Sequence, residues 1–198
     1  KPSLGDTSLP ERVRVATVQF QMRRINSIDE FEQQVEYFTD IASDYKSDFV
    51  VFPELFTLQL LSLEHKPLGP VESIEKISEY TPRYIAFMEK LAVSYNVNII
   101  GGTHPSRMEN GDILNISYVF LRDGSVHTQQ KLHPTPSERS WWNIKGGQGA
   151  LAIRRRCGLG LRGRITSGRR GDGRLLAIRE EDVVGRDCRM RGSGDGAG

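Results

Sequence analysis

Two charged residues follow apolar stretches and are the first candidates for chemistry in this sequence. Glu54 comes directly after the run Phe49–Phe52 and Pro53, and Lys131 follows the β-rich run Val126–Gln130. Continuous apolar runs are typical of strands covered on both faces, and open sheets keep their clefts at the carboxyl ends of strands. The two side chains can therefore converge if their strands are neighbours. A solvated turn and a surface lysine are the alternative interpretation.

The residues before Glu54 predict a βαβ unit. Val13–Phe20 is a β-rich run that predicts the opening strand. Ser27 followed by Glu30 is a capping-box pattern, and apolar residues then recur at helical spacing up to about Tyr45. A strand, a long helix and a second strand joined by short connections form such a unit.

Two helices and a third buried strand are predicted after Glu54. A brief helix is expected over Val71–Glu79. Thr81 is expected to cap the next helix and Pro82 to open it. Val97–Ile100 then predicts a buried strand that the pair Gly101–Gly102 closes. The pattern up to this point is that of an α/β protein.

A hairpin and a proline-containing loop complete the well-patterned region. Ile113–Leu121 and Val126–Gln130 flank a four-residue turn signal, which predicts two antiparallel strands and hence a mixed sheet. From Lys131 to Trp142 we expect a loop, because Pro134 and Pro136 forbid a helix through them.

Taken together, these pieces resemble the nitrilase, or carbon-nitrogen hydrolase, superfamily over about residues 12–147. The matching motifs are Val13–Phe20, Phe52–Phe56, Gly101–Gly102, Lys131–Thr135, Glu138–Arg139 and Trp141–Trp142. The resemblance implies an α-β-β-α sandwich, which this chain contains only in part, and domains that pair into a homodimer in the intact protein.

The resemblance also implies a chemistry and a role for three residues. A cysteine thiol attacks the carbon of a small-molecule nitrile or amide and forms a thioester, which water then releases. Glu54 matches the general base, Lys131 the cation beside the developing negative charge, and Glu138 the second glutamate that orients the site. A thiol with a pKa near 8.5 needs such a base or cation, and an oxyanion needs a fixed positive donor.

The resemblance implies no cofactor and no metal, because thiol chemistry on a carbon-nitrogen bond needs neither. His104 and His133 have no partner at metal-ligand spacing. We expect His104 in a loop and His133 at the surface or behind the site.

The composition changes sharply near residue 148. Residues 1–148 contain all 16 aromatic residues and carry 15 Lys and Arg against 19 Asp and Glu, whereas residues 149–198 contain no aromatic residue but 12 Gly and 12 Arg. We therefore expect residues 12–147 to be the N-terminal part of a carbon-nitrogen hydrolase domain. Residues 148–198 are expected to be a low-complexity segment, disordered or translated out of frame.

The change in composition near residue 148 comes before the position at which the nucleophilic cysteine is expected. In the family the cysteine ends an apolar strand, but the corresponding window, 162–168, contains no cysteine. Cys157 lies between three arginines and Gly158, so neither a strand nor an apolar shell is expected to deliver it, and Cys188 is further away. We expect the chain, as a fragment, to be inactive.

Two other functions stay open at this stage. The chain can be a catalytically dead binding or regulatory member of the family, or an Arg/Gly-rich segment can bind nucleic acid. The absence of aromatic residues from residues 149–198 argues against the second. No apolar run approaches the roughly 18 residues that a membrane span needs, and no signal sequence is evident, so a cytoplasmic location without membrane or nucleic-acid partners is expected.

Overall fold

The computed structural model of the chain describes residues 12–149. Its elements, in chain order, are β1 (Val15–Thr17), α1 (Ile28–Asp44), β2 (Phe49–Val51), a 3-10 helix (Phe56–Leu63), α2 (Pro70–Glu79), α3 (Thr81–Ser94), β3 (Asn98–Arg107), β4 (Ile113–Phe120), β5 (Val126–Gln130) and α4 (Pro136–Ser140). Cys157 and Cys188 lie outside the described residues. So does nearly all of the segment 148–198, which was predicted to be disordered or translated out of frame. Within residues 12–149, no helix combines the length and apolar character needed to cross a membrane.

One five-stranded sheet in the order β1-β2-β3-β4-β5 organises these elements. β1, β2 and β3 are parallel, and β4 and β5 form the predicted antiparallel hairpin. Two reversals make β5 run in the same direction as β2, so their carboxyl ends lie at the same edge of the sheet. The predicted mixed α/β fold is confirmed.

Helix α1 begins at its predicted cap but forms only half of the predicted box. The Ser27 hydroxyl accepts a hydrogen bond from the Glu30 amide at 3.2 Å, whereas the Glu30 carboxylate accepts from the Asn26 amide at 3.0 Å. Phe31 and Val35 lie one turn apart and are almost completely buried. The helix is therefore held to the sheet by this apolar face, as its spacing predicts.

The core beside the sheet is aromatic and centred on Phe56, the first residue of the 3-10 helix. Its ring packs against those of Phe20, Phe31 and Phe52 with centroids 5.3, 5.6 and 5.1 Å away. Aromatic side chains bury large apolar areas and prefer such offset contacts. This packing fixes the chain immediately after the candidate glutamate.

Two strands differ in length from their predictions. β1 covers only Val15–Thr17, not Val13–Phe20, because its ladder is limited to the three paired residues of β2. β3 does not end at the glycine pair but continues to Arg107, with a register shift between Ile100 and Thr103. A β-bulge accommodates the glycines inside the strand.

Gly102 is required by the close approach of another backbone segment. Its φ is +60°, and a Cβ built on it would lie 2.0 Å from the Pro53 carbonyl oxygen. Only glycine tolerates both conditions, so the glycine pair brings β3 against the residue that precedes Glu54.

Two predictions about helix starts were wrong. The Thr81 hydroxyl does not cap α3 but donates to the Ser78 carbonyl oxygen at 2.8 Å, because α2 and α3 are separated by Tyr80 alone. The loop predicted up to Trp142 contains α4, which begins at Pro136. Proline is tolerated at a first helical position, where its missing N–H has no partner to lose.

His104 lies inside β3 and is completely buried, so its predicted loop position was wrong. Its Nε2 and Nδ1 are each 2.9 Å from a threonine hydroxyl, of Thr81 and Thr57 respectively, and its ring stacks on Tyr84. Because the Thr81 hydrogen is used on Ser78, Nε2 carries the imidazole proton and Thr57 donates to Nδ1. Burial lowers the pKa of His104 to about 3 and keeps the ring neutral.

Candidate active site

Glu54 is held against β3 by its neighbours in sequence. It forms a bridge pair with Thr103, and the Leu55 amide donates to the Thr103 carbonyl and hydroxyl oxygens at 3.2 and 3.1 Å. Leu55 has a left-handed φ of 57°, which is costly for a residue other than glycine and turns the chain away from the sheet. The glutamate side chain is thereby placed at the carboxyl edge.

Lys131 follows β5 and meets Glu54 at that edge. Its Nζ donates to Glu54 Oε1 at 2.8 Å, although β3 and β4 lie between the two strands. With about 4.8 Å between adjacent strands, only two long side chains can close this gap over the sheet. The expectation that the two side chains meet is confirmed. β2 and β5 are not neighbours, so the condition that we set for this convergence was too strict.

Glu138 completes the cluster from the first turn of α4. Lys131 Nζ donates to its Oε1 and Oε2 at 3.0 and 2.9 Å. The Thr135 hydroxyl accepts from the Glu138 amide, and the Glu138 carboxylate accepts from the Thr135 amide at 2.6 Å. This capping box fixes the glutamate, and the pattern Thr135-Pro136-Ser137-Glu138 could have revealed α4 from the sequence.

Asn115 is a fourth member that the sequence analysis missed. Its Nδ2 donates at 3.1 Å to Glu54 Oε1 and at 3.1 Å to Glu138 Oε1. The residue lies on β4 and is completely buried. Asn115 is the single amide in the otherwise apolar run Ile113–Ile116. Because a buried polar side chain needs a hydrogen-bond partner, this position could have been identified from the sequence.

The cluster shifts the proton affinities of two members in opposite directions. Burial alone would lower the pKa of Lys131, but hydrogen bonds and charges of Glu54 and Glu138 outweigh it and raise that pKa. Burial would raise the pKa of Glu138, but the Thr135 amide and Lys131 outweigh it and lower that pKa. Both groups therefore stay charged near neutral pH.

The two carboxylates differ in what they can still accept. Glu138 receives four hydrogen bonds on its two oxygens, and its side chain is 5% exposed. Glu54 receives two on Oε1, and no described residue donates to its Oε2; its side chain is 36% exposed. Glu54 Oε2 is therefore the one carboxyl oxygen of the cluster that has no donor among the described residues.

Other candidates do not join this cluster. His133 is exposed, and Trp141 is 67% exposed while Trp142 packs beside Ile144. Residues 12–149 contain no cysteine. Over the same residues, no three His, Cys, Asp or Glu side chains are grouped as a metal site requires.

A cavity of about 530 Å³ lies apart from the four residues. Its lining comes from residues 22–24, 58–59, 61–62, 64–68 and 73, and includes Arg23, Arg24 and Lys66. None of the four cluster residues contributes to it, so the candidate site is defined by its hydrogen bonds and not by this cavity.

Solved structures with a similar fold are known. The chain is similar to Nit3 of Saccharomyces cerevisiae, a member of branch 10 of the nitrilase superfamily (TM-score 0.57, 22% identity, 74% of this chain and 52% of that chain). It is also similar to an amidase from Nesterenkonia sp. (TM-score 0.54, 16% identity, 70% and 50%). At these identities the likeness concerns the fold alone, and the described sheet with its helices is that of the nitrilase fold.

Sequence comparison extends the likeness. A probable hydrolase of Bacillus subtilis, YhcX, is 50% identical over 147 residues, which are 74% of this chain and 28% of that protein. The chain thus spans under a third of that relative and about half of the solved structures. The sequence profile of the carbon-nitrogen hydrolases matches residues 14–153. The chain therefore belongs to the carbon-nitrogen hydrolase family.

Proposed function

We propose that the cluster serves hydrolysis of carbon-nitrogen bonds other than peptide bonds, of the amidase or nitrilase type. The observation that carries this proposal is the position of Lys131 Nζ, 2.8 Å from Glu54 and 2.9 Å from Glu138. Beside it, Glu54 Oε2 accepts no hydrogen bond from any described residue. A base and a fixed cation at one sheet edge are what thiol catalysis requires.

The reaction on an amide has two halves. A cysteine thiol gives its proton to Glu54 Oε2, and the sulfur attacks the carbonyl carbon; Lys131 lies beside the oxyanion that forms. The carbon-nitrogen bond then breaks, the nitrogen takes the proton from Glu54 and leaves as ammonia or an amine, and a thioester remains. Water next loses a proton to Glu54 and attacks the thioester. The carbon-sulfur bond then breaks, the acid leaves, and the sulfur takes the proton back from Glu54, which restores both the thiol and the carboxylate.

Structures of a neighbour support the substrate class. In the Nesterenkonia amidase, acrylamide is found added at the active-site cysteine of one mutant, and butyramide is bound in another. Small aliphatic amides are therefore the first substrates to test, with the corresponding nitriles. Glu54 as base, Lys131 as cation and Glu138 as orienting carboxylate remain our assignments.

The nucleophile must come from outside residues 12–149. Cys157 follows three consecutive arginines, a sequence that does not predict an apolar strand, and we therefore propose that the 198-residue chain gives no turnover. The test is ammonia release from simple amides and nitriles by the purified chain beside its Cys157→Ala variant. Turnover that disappears in the variant would make Cys157 the nucleophile and overturn this part of the proposal.

A chimera tests the competence of the described half directly. Residues 1–147 are joined to the region that follows the matched stretch in the Bacillus relative, which is 50% identical to this chain over that stretch. We expect this chimera to release ammonia from at least one substrate, and Lys131→Met to abolish that release. A folded chimera without activity on the whole panel would contradict the proposed function.

A non-catalytic binding or regulatory member is the second candidate, because residues 12–149 contain no thiol. An active chimera would count against it, since the four cluster residues would then be competent. A homodimer in the intact protein and a cytoplasmic location stay predictions.

A further inference from the structure

We propose that Asn115 is a positioning residue that clamps Glu54 and Glu138 around Lys131 and turns Glu54 Oε2 toward the reaction. The clamp stands on the geometry alone, whereas the role of Oε2 rests on the proposed function. Nothing in the resemblance assigns a role to Asn115.

The clamp is visible in the hydrogen bonds. Asn115 Nδ2 has two hydrogens, and the two oxygens within 3.1 Å of it belong to different carboxylates, of Glu54 and Glu138. Carboxylates only accept, so the amide nitrogen must face them. Each of these Oε1 atoms also accepts from Lys131 Nζ. The four groups therefore form a closed ring in which one donor is charged and the other neutral.

The amide is held on a rigid element. Asn115 lies on β4, paired with Pro105 of β3, and its carbonyl oxygen accepts from the Lys131 amide at 2.8 Å. The same residue thus fixes the lysine backbone and the two carboxylates that its side chain meets. Sites supported by strands hold their geometry better than sites on loops.

A neutral clamp preserves the function of the cluster. A second cation at this position would cancel the remaining negative charge and with it the base. The amide instead occupies Glu54 Oε1 without changing the charge, so the glutamate presents Oε2. Glu138, which accepts four hydrogen bonds on its two oxygens, has no such freedom.

The opposite end of the side chain shows that packing alone does not explain Asn115. Its Oδ1 is buried and has no hydrogen-bond partner among the described residues. A buried acceptor without a partner is destabilising. An apolar residue of similar size would avoid that penalty, so the contribution of this side chain is its donor end.

The experiment is NMR on the 198-residue chain, which needs no turnover. The two Nδ2 proton signals of Asn115 are followed in the wild type, Glu54→Gln and Glu138→Gln. We expect each glutamate variant to shift a different proton of the pair. Signals that both variants leave unchanged, or a single exchange-averaged signal in the wild type, would overturn the clamp.

Titration of the carboxyl carbons gives a second readout that packing would not move. We expect Asn115→Asp, which keeps the shape but adds a carboxylate, to raise the pKa of one cluster carboxyl by about 1 unit or more. Ser117→Ala is the matched control, because Ser117 is buried two residues further along β4 and its hydroxyl has no hydrogen-bond partner among the described residues. Equal titrations in both variants would overturn the proposal.

These outcomes separate the clamp from the proposed function. An inactive chimera with intact Asn115 signals would remove the role of Glu54 Oε2 and leave the clamp in place. An active chimera, together with Asn115 proton signals that neither glutamate variant shifts, would remove the clamp and leave the proposed function in place.

Discussion

Two polar clusters lie on opposite faces of the same two strands. Asn115, whose side chain binds Glu54 and Glu138, is followed on β4 by Ile116, which pairs with the buried His104. Successive residues of a strand point to opposite faces. The sheet therefore separates a charged cluster on one face from the neutral group Thr57, His104 and Thr81 on the other.

The difference between them shows what distinguishes a candidate site from a structural contact. In the neutral cluster both imidazole nitrogens are matched by hydroxyl groups, and burial keeps the pKa of His104 at about 3. In the charged cluster, one oxygen of Glu54 has no donor among the described residues, and the side chain is partly exposed. Remaining proton-accepting capacity, and not burial of polar groups as such, favours chemistry.

Removal of the shared cation should have the largest effect. Lys131→Met leaves Glu138 buried and charged without its ammonium partner, and breaking a buried pair in this way costs about 3–5 kcal/mol. Urea unfolding of the 198-residue chain measures the loss. Lys145→Met is the control, since Lys145 is exposed and its ammonium group donates to Asn143 alone among residues 12–149. A similar loss there would contradict the account.

The glycine that joins β3 to the Glu54 turn gives the next effect. Gly111 and Gly102 both have left-handed φ values, but a Cβ meets nothing within 4 Å at Gly111 and the Pro53 oxygen at Gly102. Gly111→Ala should cost about 1–2 kcal/mol for conformation alone. Gly102→Ala should cost a further 1–3 kcal/mol, roughly, from the clash. Equal unfolding midpoints would disprove the close approach.

The neutral cluster should make the free energy of unfolding depend on pH. The folded pKa of His104, about 3, lies below the ordinary value of 6.5, so the unfolded chain takes up the proton first. Its contribution to stability is therefore complete above pH 6.5 and is lost as the pH falls toward 3, by about 1.4 kcal/mol per unit.

The window between pH 6.5 and 5 isolates this histidine, because Glu138, whose pKa is lowered from 4.5, contributes only at lower pH. In His104→Gln this part of the slope should disappear from the unfolding free energy. It should persist in His133→Gln, since His133 is exposed. A slope that is unchanged in His104→Gln would contradict a neutral, sealed cluster.

The two helix caps should give the smallest effect. Ser27 and Thr135 each accept a hydrogen bond from an amide three residues later at 3.2 Å, but only the Thr135 hydroxyl binds the amide of a cluster residue, Glu138. Ser27→Ala and Thr135→Ala should each cost about 1 kcal/mol. In the chimera, only Thr135→Ala should also lower kcat; equal kcat values would show that α4 does not position Glu138.

Much of the fold follows from periodicity and caps in the sequence. α1, β2 and the β4–β5 hairpin were predicted because their apolar patterns and turn residues are local. Thr81 was misplaced because its hydroxyl bonds backward to Ser78, a contact that its own helix does not encode. β3 was ended early because Gly102 serves a distant backbone segment.

The candidate site was predicted in part for the same reason. Glu54 and Lys131 each follow a strand, so their convergence was accessible from the topology. Asn115 was not, because its partners are 61 and 23 residues away in sequence. His104 was misassigned because its threonine partners come from other elements.

The central claim is that the charged cluster performs chemistry and the neutral cluster holds the fold. The most direct test compares Glu54→Gln with Thr57→Val in the chimera, by ammonia release and by urea unfolding. Glu54→Gln should lower kcat by about 10²–10⁴ with little change in stability. Thr57→Val should lower the free energy of unfolding by about 1–3 kcal/mol, because His104 Nδ1 loses its donor, while kcat is retained. A Thr57 variant that is folded but inactive, beside a Glu54 variant that keeps its turnover, would contradict the account.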